Sequence, residues 1–223
     1  MFICIIINMY RIFLTIALAF FILTSCKKNE VVTNSSDLGV SYFPLSVGQV
    51  KIFSVDSIIY NSLSNTKDSV RSYIKEVITE MDKDSNGFTN YKVICYTTSD
   101  TAANWEYQSF YFYNMNNYLV SSAKGGIIKS LMIFPVSKGL SWDMNAYNMN
   151  GKKTVYYSYV GKPWMHYTDC VEIFFKEDIN IVEETIEKYV FAKNKGMVYK
   201  ILSEITINDS KRNGYSLITN QLR

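Results

Sequence analysis

His166, in KPWMHYTDC, is the one histidine of the chain, and it limits the chemistry these residues can carry. A single imidazole excludes zinc sites built from several histidines, and no cluster of soft ligands stands beside it. A serine, histidine and acid triad would have to use His166, yet no Gly-x-Ser-x-Gly elbow is present. His166 therefore reads as a loop or strand-end residue. Carboxylates are more plentiful: Glu76, Glu80, Asp169, Glu172, Glu183 and Glu184 would suffice for a glycosidase-type pair, which needs only two such groups at a suitable separation. Most such carboxylates belong to solvated faces, and the expectation is a protein that is not an enzyme. Gly125-Gly126 is an isolated pair of the kind found in turns, not a phosphate-cradling loop, and no cofactor is expected.

The segment DKDSNG places the oxygen ligands Asp82, Asp84 and Asn86 at alternate positions with Gly87 at the sixth, as in the first half of a calcium-binding loop. The twelfth position, where that loop needs a bidentate glutamate, is Val93. Its flanks VITEM and YKVICY alternate like strands, so these three residues are weak metal candidates in what reads as a hairpin turn. Cys95 and Cys170 each lie in an apolar or alternating run. In an exported chain they either form a disulfide or stay as two buried thiols, and spacing alone decides neither.

The aromatic runs carry more weight. In WEYQSFYFYN, strand alternation sets Trp105, Tyr107, Tyr111 and Tyr113 on one face and Phe110 and Phe112 on the other. KTVYYSYVGKPW is a second such stretch. Tyrosine and tryptophan join an apolar ring to a polar handle, which suits stacking on a sugar or holding a lipid or peptide. Trp105, Tyr107, Tyr111, Tyr113, Tyr157 and Trp164 are accordingly the candidate ligand-binding residues, with cross-strand core packing as the alternative use of the same rings.

These residues are positioned by short β-branched and aromatic runs bounded by Asn, Gly, Asp, Ser or Lys. KIFSVDSIIYN, SVRSYIKEVITEM, FTNYKVICYTTS, WEYQSFYFYN, GIIKSLMIFP, KKTVYYSYVG, DCVEIFFKED, ETIEKYVFAKN, GMVYKILSEITI and GYSLITNQL all read as strands. The predicted fold is all-β: a strongly curved antiparallel sheet or half-barrel of about ten strands, with little helix. Only INIVEETIEKYV invites a helical reading, and its alternation favours strand. FPLSVG at Phe43–Gly48 and FPVSKG at Phe134–Gly139 repeat one turn pattern, each ahead of a strand. The repeat fits either a duplication or the reuse of one turn. With 223 residues, 19% charged and 15% aromatic, the chain is long enough for a real core and too ordered in composition for a disordered segment. Its 23 basic and 20 acidic residues are mixed along the chain and form no stripe for a phosphate backbone, so no nucleic-acid partner is expected.

The N-terminus states an address. IFLTIALAFFIL, from Ile12 to Leu23, follows Arg11 and ends in Thr24, Ser25 and Cys26, the order of a signal peptide. As a helix this run spans about 18 Å, short of the roughly 30 Å of a hydrocarbon core. LTSC resembles the lipobox of bacterial lipoproteins, an aliphatic residue, two small ones and a cysteine. That resemblance implies a signal over residues 1–25 and a diacylglycerol thioether on Cys26; the polar KKNEVVTNSSDLGVS that follows reads as a tether, so residues 26–41 lead into one β domain at 42–223. The lipobox resemblance also implies anchoring in a membrane, and Lys27 in place of an aspartate points to the outer one.

YFPLSVG at the start of the domain and YVFAKNKGMVYKI near its end resemble uncharacterised cell-envelope lipoproteins of the Bacteroidota. Those proteins carry an aromatic residue soon after the first glycine, where this chain has Val50, Lys51 and Ile52 before Phe53. The resemblance implies a curved antiparallel sheet and no assigned activity. The expected role is a lipid-anchored, non-enzymatic binding or assembly module, whose partner is a glycan, a lipid or an envelope protein. A carrier of an apolar ligand, a glycan binder and an envelope hydrolase are the alternatives.

Overall fold

The structure is a computed structural model that describes residues 38–175, 178–179 and 182–222. Residues 1–37, including the stretch read as a signal and Cys26, lie outside the described residues. Two meanders build the sheet. The first comprises β1 (Val50–Asn61), β2 (Thr66–Lys83), β3 (Thr89–Thr98), β4 (Glu106–Met115), β5 (Leu119–Lys124) and β6 (Ile127–Ile133). The second comprises β7 (Ser141–Asp143), β8 (Thr154–Trp164), β9 (Tyr167–Phe175), β10 (Asp178–Ile179), β11 (Glu183–Ala192), β12 (Gly196–Asn208) and β13 (Lys211–Gln221). Among the described residues all thirteen strands belong to one antiparallel sheet, in the order β6-β5-β4-β3-β2-β1-β13-β12-β11-β9-β8-β7, with β10 paired to β11 alone. No α-helix occurs among those residues.

The β1–β13 pairing, from Phe53 opposite Gln221 to Tyr60 opposite Gly214, splices the two meanders. At the far ends of the order, Ser130 N–H on β6 donates to Met144 O at 2.8 Å, and Trp142 Nε1–H on β7 donates to Ser130 O at 2.9 Å. The sheet therefore rolls until its first and last strands touch, giving a nearly closed, barrel-like wall. Bulges drive the curvature, because an extra residue on one strand bends it and increases local twist. They interrupt the β2–β3, β3–β4, β5–β6, β8–β9 and β11–β12 pairings.

Rolling encloses a core on the inner face. Phe43, Val120, Met132, Met144, Val155, Tyr157, Val171, Ile173 and Phe191 are buried together there. Phe43 plugs one end of the roll, its ring 5.0 Å from Tyr113 and 5.4 Å from Phe191. The turns that share the Phe-Pro-x-Ser-x-Gly pattern meet at this end. Phe43 and Phe134 belong to the same core, and Val136 N–H donates to Leu38 O at 2.9 Å. Leu38 and Val40 already pack on that core, so the folded domain begins a few residues before Tyr42. On the outer face Cys170, Val190, Ala192 and Val198 form a separate cluster beneath Tyr159, Trp164, Tyr167 and Tyr199.

The all-β, strongly curved antiparallel expectation matches this architecture. The ten runs read as strands correspond to β1 to β4, β6, β8, β9 and β11 to β13. β5, β7 and β10 lack that signal: LVSSAK is short and half polar, SWD has three residues, and DI has two. INIVEETIEKYV contributes a strand from Glu183 onward.

Candidate functional site

A cavity of about 400 Å³ lies within the roll, between the β2–β6 wall and β11–β12. β2 supplies Glu76, β4 supplies Tyr111 and Tyr113, and β5 supplies Ser122 and Lys124. Ile127, Lys129 and Leu131 come from β6, and Tyr189, Met197 and Lys200 from β11 and β12. Each charged side chain is there because of its phase along a strand. Glu76 alternates in step with Ile74 and Ile78, and its neighbours across the sheet are Lys51 on β1 and Cys95 on β3. Lys200 stands opposite the inward Tyr189.

The bulge in β4 decides which aromatics enter. Cys95 pairs with Ser109 and Tyr96 with Tyr107, so Gln108 is the extra residue and alternation reverses across it. Tyr111 and Tyr113 turn inward, while Tyr107, 61% exposed, faces out beside Tyr96. Trp105 lies on the outer side as well, under the Lys75 ammonium at 4.7 Å. The expectation that Trp105, Tyr107, Tyr111 and Tyr113 share one face is corrected by that single inserted residue. Before Phe112, β4 lacks β5 as a neighbour, since their pairing runs only from Phe112–Ala123 to Met115–Val120. A second, open hollow of about 610 Å³ shares Tyr111 and Lys124 with the cavity and extends to Gly125 and Gly126. It borders the cavity along the stretch of β4 that has no β5 neighbour.

The cavity is rich in cations. Lys124 Nζ sits 5.8 Å from the centre of the Tyr111 ring, and Lys200 Nζ sits 5.3 Å from that of Tyr189, each within cation–π reach. Burial lowers the pKa of Lys200, opposed by Glu187 and reinforced by Lys129, Lys124 and Lys153. Burial lowers that of Lys51 too, against the attraction of Glu76. The Glu76 carboxyl is pushed up by burial, while the Tyr111 hydroxyl beside it and the charges of Lys51, Lys124 and Lys200 restrain the rise. Glu187 behaves differently. Burial alone would raise it, but hydrogen bonds from Lys153 and Tyr189, with the charges of Lys153 and Lys129, bring it below the usual carboxylate value. The Tyr189 hydroxyl donates to Glu187 Oε1 at 2.5 Å, and Lys153 closes the ion pair from the other side. Tyr111 donates to the Tyr113 hydroxyl at 2.8 Å, and burial holds both phenols well above their ordinary pKa.

The remaining candidates lie elsewhere. Tyr157 is fully buried, and its hydroxyl bonds to the Ile133 backbone, which makes it a core residue. Trp164 packs on Tyr199 at 5.3 Å on the outer face. Cys95 and Cys170 are free buried thiols in different clusters, so the disulfide left open by their spacing is not formed. Asp84 of DKDSNG accepts the N–H groups of Asn86 and Phe88, both at 2.9 Å, and so serves its own turn. Asp82 and Asn86 are exposed there, and no metal-ligating cluster of three His, Cys, Asp or Glu residues occurs among the described residues. His166 is exposed at the β8–β9 hairpin against Tyr167, with ring centres 4.0 Å apart.

Of the six carboxylates considered for an acid pair, only Glu76 lines the cavity. Glu80 pairs with Lys92 at 2.8 Å, Asp169 accepts from Tyr42 at 2.5 Å, and Glu172 accepts from Ser158 at 2.5 Å. Glu184 meets Arg212 at 3.3 Å, and Glu183 begins β11 on the exposed side. The lysines went unnoticed in the sequence, although a signal existed. A charged residue in the apolar phase of a strand, such as Lys51 with Phe53, Glu76 with Ile78 or Glu187 with Phe191, must enter the interior or break the alternation. Searches of family models, curated proteins and solved structures found nothing that matches this chain.

Proposed function

We propose that this protein is a lipid-anchored binding protein of the bacterial outer membrane that holds one small, largely apolar ligand inside its rolled sheet and catalyses no reaction. The observation that carries this reading is the half-open interior cavity. Its volume of about 400 Å³ falls in the range of small-molecule sites, roughly 300–1,000 Å³, and it combines Leu131, Met197 and tyrosine rings with a few inward polar groups. The lipobox-like LTSC supports the address, and a tether between Cys26 and the domain lets the cavity reach ligands near the membrane.

The glycan reading draws less support. The exposed outer aromatics meet edge to face, Tyr96 and Tyr107 at 81° and Phe110 and Phe112 at 87°, whereas a sugar stacks on rings that share a plane. A hydrolase would need a second carboxylate across from Glu76, and the other charged groups of the cavity lining are lysines.

Two measurements test the proposal. Native mass spectrometry of the full chain, extracted in a neutral detergent, should find a retained small molecule on the wild type and much less on Leu131→Trp, whose larger side chain intrudes on the cavity from its lining. Equal retention by both would refute an interior site. Metabolic labelling with a fatty acid should mark the wild type and leave Cys26→Ala unlabelled, and equal labelling would remove the anchor.

A further inference from the structure

We infer that the ligand is an anionic amphiphile, an apolar tail ending in a carboxylate or phosphate-type head, and that Lys124, Lys129 and Lys200 receive the head. This rests on the interior-cavity reading and adds the ligand's charge to it. The three lysines come from β5, β6 and β12, strands that the rolling brings to opposite sides of one hollow. None of them is in an ion pair with a carboxylate, although the described residues hold six such pairs elsewhere. Glu187 is close enough for its charge to act on Lys129 and Lys200, but its oxygens are hydrogen-bonded by Lys153 and the Tyr189 hydroxyl and it forms an ion pair with neither of those two lysines. Glu76 is the one carboxylate in the lining, so the cations outnumber the anions even when it is ionised.

Cations facing a half-enclosed, low-dielectric space repel one another more strongly than in water. Such a group is relieved by losing protons or by receiving an anion; burial is the main cause that lowers Lys200, and the neighbouring Lys129 and Lys124 charges add to it. The surroundings then select the rest of the ligand. Leu131, Met197 and Ile127 offer apolar contact next to the lysines. A free inorganic anion would leave that surface uncovered, and a neutral lipid would leave the lysines unpaired. A single-tailed amphiphile satisfies both, with its head beside the hollow shared at Tyr111 and Lys124.

The test uses the full chain in a neutral maltoside detergent and a matched pair of probes, dansylaminoundecanoate and its uncharged alcohol analogue. Energy transfer from protein tyrosine and tryptophan to dansyl separates bound probe from probe in the micelle. The carboxylate probe should bind at least about tenfold more tightly than the alcohol, as charge-assisted hydrogen bonds imply, and the preference should shrink with salt. The combined variant Lys124→Gln, Lys129→Gln, Lys200→Gln should bind the two probes alike. Equal affinity of the wild type for both probes, with binding abolished by Leu131→Trp, overturns the anionic head while leaving the interior site standing. No transfer above the micelle blank, or transfer that Leu131→Trp does not reduce, overturns the interior site and the anionic head with it.

Discussion

Lys51 and Glu76 stand directly opposite one another on β1 and β2, both turned into the roll, yet their charged ends form no ion pair. Burial pushes each toward its neutral form, the amine down and the carboxyl up, and their mutual attraction opposes both shifts. The Lys51 ammonium instead occupies the space that a Cβ on Gly196 would fill, which ties β1 to the β11–β12 hairpin. The inner face is thus polar where the cavity lies and apolar where Phe43 plugs the end.

That asymmetry predicts opposite pH responses for two inward carboxylates. The folded chain keeps the Glu76 proton at pH values where the unfolded chain, with an ordinary pKa of 4.5, has lost it. The stabilisation from Glu76 is therefore complete below that value and is lost as pH rises through the raised one. The folded-state pKa of Glu187 is depressed, so its contribution is complete above 4.5 and is lost as pH falls through the lower value. Urea midpoints from about pH 3 to about pH 8 should show the rising-pH loss abolished in Glu76→Gln and the falling-pH loss abolished in Glu187→Gln.

Phe43→Ala should cost about 3–5 kcal/mol, because the ring is 3% exposed and its removal leaves a hole between Tyr113 and Phe191. The checking measurement is the urea midpoint at constant slope. A loss below about 1 kcal/mol would mean that the end of the roll is not closed by this residue.

Gly214→Ala should destabilise by more than about 1 kcal/mol. Its φ of 134° suits glycine, and a Cβ there would run into the carbonyl oxygen of Glu204 on the neighbouring strand. Since the obstacle is backbone, no side-chain rotation relieves it. Thermal unfolding of this variant beside Gly87→Ala, where the added carbon meets nothing, isolates the clash from the strain of positive φ.

Cys95 and Cys170 should resist alkylation in the native protein and react fully in denaturant. Both are buried, and burial pushes the Cys95 thiol up to about 11, which starves it of thiolate at neutral pH. Peptide mass spectrometry after iodoacetamide treatment reads this directly, and rapid native labelling of either residue would contradict the packing described for β3 and β9.

Strand content was largely legible because alternating β-branched and aromatic runs are long and regular in β1 to β4 and β11 to β13. The site was legible only in part. Tyr111 and Tyr113 were singled out as aromatics, but the bulge at Gln108 that separates them from Tyr107 has no glycine or proline to announce it. The burial of Tyr157 and the outward turn of Trp164 likewise depend on β8, whose pairing with β9 is interrupted repeatedly. Lys124, Lys129 and Lys200 lie far apart in the chain and meet only because the sheet rolls. Closure is a property of the whole strand order, and no local pattern of residues encodes it.

The most direct test of the interior site is photo-crosslinking of the full chain with an alkyl diazirine fatty acid, followed by mapping of the labelled residues. An occupied cavity predicts adducts on Tyr111, Leu131 and Met197, lost in Leu131→Trp. Adducts confined to the outer Tyr107, Phe110 and Phe112, or none above the detergent background, would contradict it.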